Sequence, residues 1–234
     1  MAIAENLERV REQIAAACRH AGRPSEEVSL IAVSKMHPAA YLLEAYAAGQ
    51  RLFGENRVQE FQIKSAELGE AFSGPDRGRF HLIGPLQNNK TTKAAELFDA
   101  IDTIDSFKTA QRLENALQDK NKILPVLVEV KLSHEESKHG IGVAELPELL
   151  DQLATLTTLK VDGLMTVPPW SEDPELARPY FRQLRALRDD LQRQHVSLTE
   201  LSMGMSNDFA VAIEEGSTCV RIGTAIFGRR TSIA

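Results

Sequence analysis

Ser29–Lys35, SLIAVSK, is the stretch whose reading decides the fold. In an extended strand alternate side chains share a face, so Ile31, Val33 and Lys35 point one way and Leu30, Ala32 and Ser34 the other. Both faces are apolar until the last residues. That pattern belongs to a strand covered on both sides in a parallel sheet, where ligands gather at the carboxyl ends of the strands. Lys35 stands at such an end. A lysine among apolar neighbours loses its proton readily and becomes an amine nucleophile, the starting condition for a Schiff base with an aldehyde. The alternative is a side chain that lies along the strand end and keeps its ammonium in water.

The segments on either side alternate between the two periods. Before this strand, Leu7, Val10, Ile14 and Ala17 recur at helical spacing, which predicts an amphipathic helix over Asn6–His20, ended by Gly22 to Ser25. After it, His37 and Pro38 open a helix with Leu42, Leu43 and Tyr46 as its apolar stripe, and Gly49 suits its end. Arg51 to Glu55 reads as a strand, Asn56 as an N-cap, and Val58, Phe61 and Leu68 as the stripe of the next helix. Gly74, Pro75, Asp76 and Gly78 make a turn before a strand from Arg79 to Gly84.

Further strands are expected over Ala100–Asp105, Ile123–Leu132, Lys160–Val167, Leu201–Met205 and Cys219–Ile222. Helices fall between them, over Ala110–Leu117, Leu146–Leu153, the segment capped by Asp173 and Pro174 through Leu191, and Ser206–Glu215. About eight strand–helix units in a chain of 234 residues predict a single (β/α)8 TIM barrel with an extra N-terminal helix, one domain over residues 1–234. An open doubly wound sheet is the alternative.

Composition narrows the function. Hydrophobic residues at 43% and charged residues at 26% are ordinary for a folded soluble chain. A net charge of −6 gives no general reason to bind nucleic acid or an anionic membrane, so an anionic ligand needs a local site. Cys18 and Cys219 lack CxxC or CxxH neighbours and read as buried small residues. No signal-like run or membrane-length apolar span is present, which makes a cytoplasmic location the expectation. His134 and His139 flank EESK without the spacing of a metal site. Neither a Walker A sequence nor a GxGxxG after a strand occurs.

In a barrel the strand ends are neighbours. Here they supply Lys35, Asn56, His81 with Gly84, Asp105, Lys131, Thr166, Ser206, and Gly223 with Thr224. SMGMSND (Ser202 to Asp208) and GSTCVRIGTAIFG (Gly216 to Gly228) suggest phosphate, because Ser206 would begin one helix while Gly223 and Thr224 begin a tight turn. The structural alternative makes Ser206 an N-cap and Gly223 a turn glycine. Arg221 lies two residues before Gly223 and faces the same side. Buried there, it needs a partner: Asp105, Glu129 or a ring nitrogen of a ligand.

With SLIAVSK, the segments FGENRVQE, FHLIGPLQNNKT, LSHEESKHGIG, GLMTVPP and LSMGMSNDF…GSTCVRIGTAIFG resemble the pyridoxal phosphate homeostasis family, whose barrel is similar to the N-terminal domain of alanine racemase. The resemblance covers nearly the whole chain. It implies pyridoxal 5′-phosphate as cofactor, carried by Lys35, with Ser206, Gly223 and Thr224 on the phosphate, Arg221 at the pyridine nitrogen and Asn56 lining the pocket. Met203 and Met165 are placed beside the ring, and Lys138 lies in a loop that the family keeps basic. Asn207 and Arg57 depart from the family's common SMGMSDD and FGENYVQE.

The resemblance implies a monomeric, non-catalytic protein that buffers the cofactor and supplies it to pyridoxal phosphate-dependent apoenzymes. A racemase is the alternative, and it needs an acid and a base on opposite faces of a carbanion. Lys35 serves one face, but Tyr41, Tyr46 and Tyr180 all fall on predicted helices and the chain ends soon after its eighth strand. A Schiff-base lyase acting on a phosphorylated sugar would share the lysine and the phosphate site.

Overall fold

The computed structural model describes residues 2–69, 76–133, 139–195 and 197–228. After α1 (Ile3–His20), strands and helices alternate: β1 (Ser29–Val33), α2 (Ala39–Ala47), β2 (Leu52–Glu55), α3 (Val58–Leu68), β3 (Arg79–Leu82), α4 (Thr91–Leu97), β4 (Ala100–Ile104) and α5 (Phe107–Leu117). The second half contributes β5 (Leu124–Glu129), α6 (Leu146–Leu153), β6 (Leu159–Met165), α7 (Arg178–Leu191), β7 (Glu200–Ser202), α8 (Phe209–Glu214), β8 (Cys219–Ile222) and α9 (Thr224–Phe227). Each strand pairs in parallel with the next, and β8 returns to β1 from Ser29↔Cys219 to Ala32↔Ile222. The sheet is a closed (β/α)8 barrel, which excludes the open alternative.

Alternation along β1 does what the sequence predicts. Ile31 and Val33 join Cys219, Leu52 and Ile83 inside the barrel, while Ala32 packs into the larger layer between strands and helices. That outer layer is dense with rings: Phe61 of α3 lies 4.4 Å from Phe80 and 4.9 Å from Phe98 between ring centroids. The extra helix α1 buries Leu7, Val10 and Ile14 and packs against α2, α8 and α9, with Asn6 Nδ2 donating to the Ile226 carbonyl at 2.8 Å. Cys18 and Cys219 are both buried free thiols. Among the described residues no helix is long and apolar enough to cross a membrane.

Strand ends differ most from the sequence reading, because residues that continue an apolar run leave the ladder to form the loops above it. β1 stops at Val33, although the Ser34 N–H still donates to the Gly54 carbonyl at 3.0 Å. Asn56 is no N-cap: Arg57 holds that position, without a side-chain bond. Ser206 does not begin a helix either. Residues 205–208 form a turn closed by Asp208 Oδ1, which accepts the Met205 N–H at 2.6 Å, and α8 starts only at Phe209. Asp173 does cap, accepting the Glu175 N–H at 3.0 Å, but the capped turn is a short 3-10 segment before α7. The expected turn glycine and proline Gly74 and Pro75, with His134 and Lys138, lie outside the described residues.

Two features fix the turn that carries Ser206. Arg178 spans Glu175, Glu214 and Glu215, fastening α8 to the segment before α7. Gly204 has φ +98°, and a Cβ there would lie 2.6 Å from the Ala212 side chain. Both the backbone angle and the space demand glycine. Gly204→Ala is expected to lower stability by about 1–3 kcal/mol in urea unfolding. A loss within error would show that the turn shifts freely.

Candidate functional site

At the carboxyl ends of the strands the barrel opens into a cavity of about 470 Å³. Its floor is the top layer of inward side chains, Val33, Ile83, Glu129 and Arg221. Lys35 and Asn56 border one side, just beyond β1 and β2. Ser206 and Asn207 arrive from the turn after β7, and Gly223 with Thr224 from the junction of β8 and α9. Of the seven residues expected at the site, six therefore meet around one cavity: Lys35, Asn56, Ser206, Arg221, Gly223 and Thr224.

Met203 does not join them. It is fully buried in the layer between strands and helices, because Ser202 faces inward and the next residue faces out. Met165 is also fully buried and does not line the cavity, whereas Met205 does. His81, Asp105, Lys131 and Thr166 likewise lie off its surface. His81, two residues before Ile83, which follows β3, faces the same way deeper in the barrel, with Nδ1 3.0 Å from Asp102 Oδ1.

Two glycines let backbone close around the cavity. A Cβ on Gly84 would fall 2.3 Å from the Asn56 carbonyl oxygen, and one on Gly223 would fall 3.1 Å from that of Val33. The Gly223 turn is thereby pressed against the end of the strand that leads to Lys35. Amides at the start of α9 have no acceptor within that helix, and with the hydroxyls of Thr224 and Ser206 they are the types of group that receive an oxyanion.

Arg221 is 4% exposed, and it is held by polar groups of the chain, where the sequence left Asp105, Glu129 or a ring nitrogen of a ligand open. Nη1 donates to Ser202 Oγ at 2.6 Å and Nη2 to the Thr166 carbonyl at 2.9 Å. Asp102, Glu129 and Asp208 act on it through space. Burial pulls the guanidinium's pKa down, and these carboxylates oppose that. An arginine stays charged under such conditions. Asp208 shows the reverse: burial pushes its carboxyl above the usual range against the bond from Met205 and the charge of Arg221.

Several lining residues carried little sequence signal. His37, read only as part of a helix start, stacks on Tyr41 at 5.7 Å and lies 5.3 Å from Phe227 between centroids, joining the start of α2 to the end of α9. His139 also borders the cavity. Among the described residues no group of three or more His, Cys, Asp and Glu could hold a metal ion. Trp170, 73% exposed at the rim, stands in the loop after β6, which Asn207 ties down through Nδ2 to the Ser171 carbonyl at 2.9 Å. Loop residues obey no period, so only their three-dimensional neighbours reveal them.

Comparison with known proteins agrees with this geometry. The family model described as "Alanine racemase, N-terminal domain" matches residues 5–231. The pyridoxal phosphate homeostasis protein of Aquifex aeolicus (strain VF5) is 45% identical over 227 residues, 97% of each chain. Among solved structures, PipY of Synechococcus elongatus PCC7942 with PLP bound has a TM-score of 0.85 at 42% identity, covering 97% of this chain and 100% of that one. Histidine racemase from Leuconostoc mesenteroides shares the fold at a TM-score of 0.68 with 16% identity, and the match covers 99% of this chain but 58% of the racemase. Matched along nearly its whole length by relatives of that name, the chain belongs to the pyridoxal phosphate homeostasis protein family, within the alanine racemase N-terminal domain fold.

Proposed function

We propose that this protein is a one-domain carrier that binds pyridoxal 5′-phosphate in the barrel-mouth cavity, buffers it and supplies it to apoenzymes, without turning over amino acids. The observation that carries the reading is the meeting, around one cavity, of a strand-end lysine, a buried arginine and two loops rich in anion donors. Those residues fit the group. Lys35 offers an amine for the aldehyde, Ser206, Gly223 and Thr224 offer donors for the phosphate, and Asn56 flanks the space between. When bound, the cofactor contributes an electrophilic carbon and an electron-withdrawing ring.

The chain's own groups favour holding over turnover. Arg221 donates and cannot accept a proton, so a ring nitrogen facing it stays unprotonated and withdraws electrons weakly. A carbanion therefore gains less from this site than from one that pairs the ring with a carboxylate. Arginine alone does not decide the matter, and the second support is the placement of the tyrosines. None lines the cavity: Tyr41 packs on His37, the Tyr46 hydroxyl donates to the Asp76 carbonyl at 2.9 Å, and Tyr180 lies on α7. The names of the full-length relatives support the same reading.

Two measurements test it. Charge-assisted donors contribute about 1.5–3 kcal/mol each, so losing two of them with the phosphate should weaken pyridoxal roughly 100-fold or more relative to its phosphate in a binding titration. Equal affinities would remove the phosphate anchor from the account. The loaded protein, incubated with L-alanine and other amino acids in deuterium oxide, should exchange the α-proton far more slowly than the roughly one per second of an ordinary enzyme. Exchange at or above that rate, abolished by Lys35→Ala, would establish the racemase reading instead.

A further inference from the structure

Behind the wall that carries Lys35 lies a buried ionic cluster with no surface at the cavity. Lys64 sits on the buried stripe of α3, between Phe61 and Leu68, where packing alone calls for an apolar residue. Its Nζ donates to the Ser34 carbonyl at 2.8 Å, to Glu55 Oε1 at 2.5 Å and to Glu60 Oε1 at 3.3 Å. The Ser34 hydroxyl donates to the same Glu55 oxygen at 2.8 Å. Glu60, one helical turn before Lys64, accepts the backbone N–H of Met36. The residues immediately before and after Lys35 are thus each gripped from behind by α3.

Such a grip has a local cause. Beyond Val33 the sheet ladder runs out, and the chain reverses through Met36, whose φ of +62° is unfavourable for a residue with a Cβ. The Ser34 N–H bond to the Gly54 carbonyl and the 3.1 Å bond from the His37 N–H to the Ser34 carbonyl close this turn, and α3 adds its own bonds at Ser34 and Met36. The cluster is also a poor device for stability alone. Replacing a buried ion pair by well-packed apolar residues is often neutral or favourable, and here Glu55 Oε2 is buried with no hydrogen-bond partner.

We infer that Glu60 and Lys64 are positioning residues, which orient the Lys35 backbone so that its amine meets the aldehyde of a ligand held by the opposite loops. The inference rests on the cofactor reading above. In the bond-forming step the Lys35 Nζ lone pair attacks the aldehyde carbon, C=N replaces C=O, and both amine protons leave with the oxygen as one water. Attack of this kind is sensitive to displacements on the order of 1 Å. Among the described residues the loops after β7 and β8 share no hydrogen bond with this cluster, so the two halves of binding should separate on mutation.

The test compares pyridoxal 5′-phosphate with pyridoxine 5′-phosphate, which carries an alcohol in place of the aldehyde and the same phosphate. Trp170, the only tryptophan, borders the cavity and reports both ligands by its fluorescence, while the imine absorbance reports the covalent step. Glu60 is partly exposed, so Glu60→Ala should fold, with a melting temperature near that of the wild type. It should lose about tenfold in affinity for the aldehyde ligand, the effect of one bond to a charged group, and change by less than about twofold for the alcohol. Glu60→Gln keeps an oxygen for the Met36 N–H and should recover most of the loss. Lys64→Met should show the same selectivity for the aldehyde. Equal weakening of both ligands, unchanged aldehyde binding in Glu60→Ala and Lys64→Met, or a Glu60→Gln protein as weak as Glu60→Ala would each overturn the inference. Failure of the wild type to form the imine would overturn the cofactor reading beneath it.

Discussion

Closure of the parallel sheet is the constraint on which the rest of the molecule depends. Eight strands running the same way leave no edge only when the last pairs with the first, and closure then puts every carboxyl end around one mouth. The β8–β1 pairing has a second effect: it sets the Gly223 turn against the Val33 carbonyl, leaving a side chain there only tight contact. Lys35 and the Gly223–Thr224 turn from the other end of the chain thereby border the same cavity. Their side chains had only to be of the right chemical type.

The same closure buries charge. Arg221 points into the barrel and is held by a hydroxyl and a carbonyl, while Asp102, Glu129 and Asp208 supply the opposite charge around it. Deeper in the barrel, burial opposes protonation of His81 but the Asp102 carboxylate outweighs it and raises the imidazole's pKa. Polar residues in these positions forgo some of the packing that a fully apolar barrel interior would provide. In exchange, a fixed positive group lies in the floor of the cavity, and α3 holds the Lys35 loop through Glu60 and Lys64.

Much of this was legible in the chain, and the reasons differ by residue. The alternating periods of two and 3.6 announced the barrel, and period two along β1 and β8 put Ile31, Val33 and Arg221 inside it. Lys35, Gly223 and Thr224 could be found because they stand at ends of well-patterned strands. Met203, placed beside the ring by the resemblance, packs in the outer layer, and β7 is only three residues long, too short for alternation to show this in the sequence. Ser206 reached the cavity by a different route from the one expected, through a turn fastened by Asp208 and not through a helix start. Trp170, His37 and His139 belong to loops, where neighbours in space are unrelated to spacing in sequence. Lys64 did have a signal: it is a cation on the stripe of Val58, Phe61 and Leu68, and a charge on an apolar face requires a partner.

The central claim is that Lys35 takes the cofactor covalently, and the most direct measurement locates that bond. The protein loaded with pyridoxal 5′-phosphate, reduced with borohydride and digested, should give by mass spectrometry one modified peptide per chain, with the pyridoxyl phosphate group on Lys35. A reduced adduct found only on Lys131 or Lys138, with Lys35 unmodified, would contradict the account at its foundation.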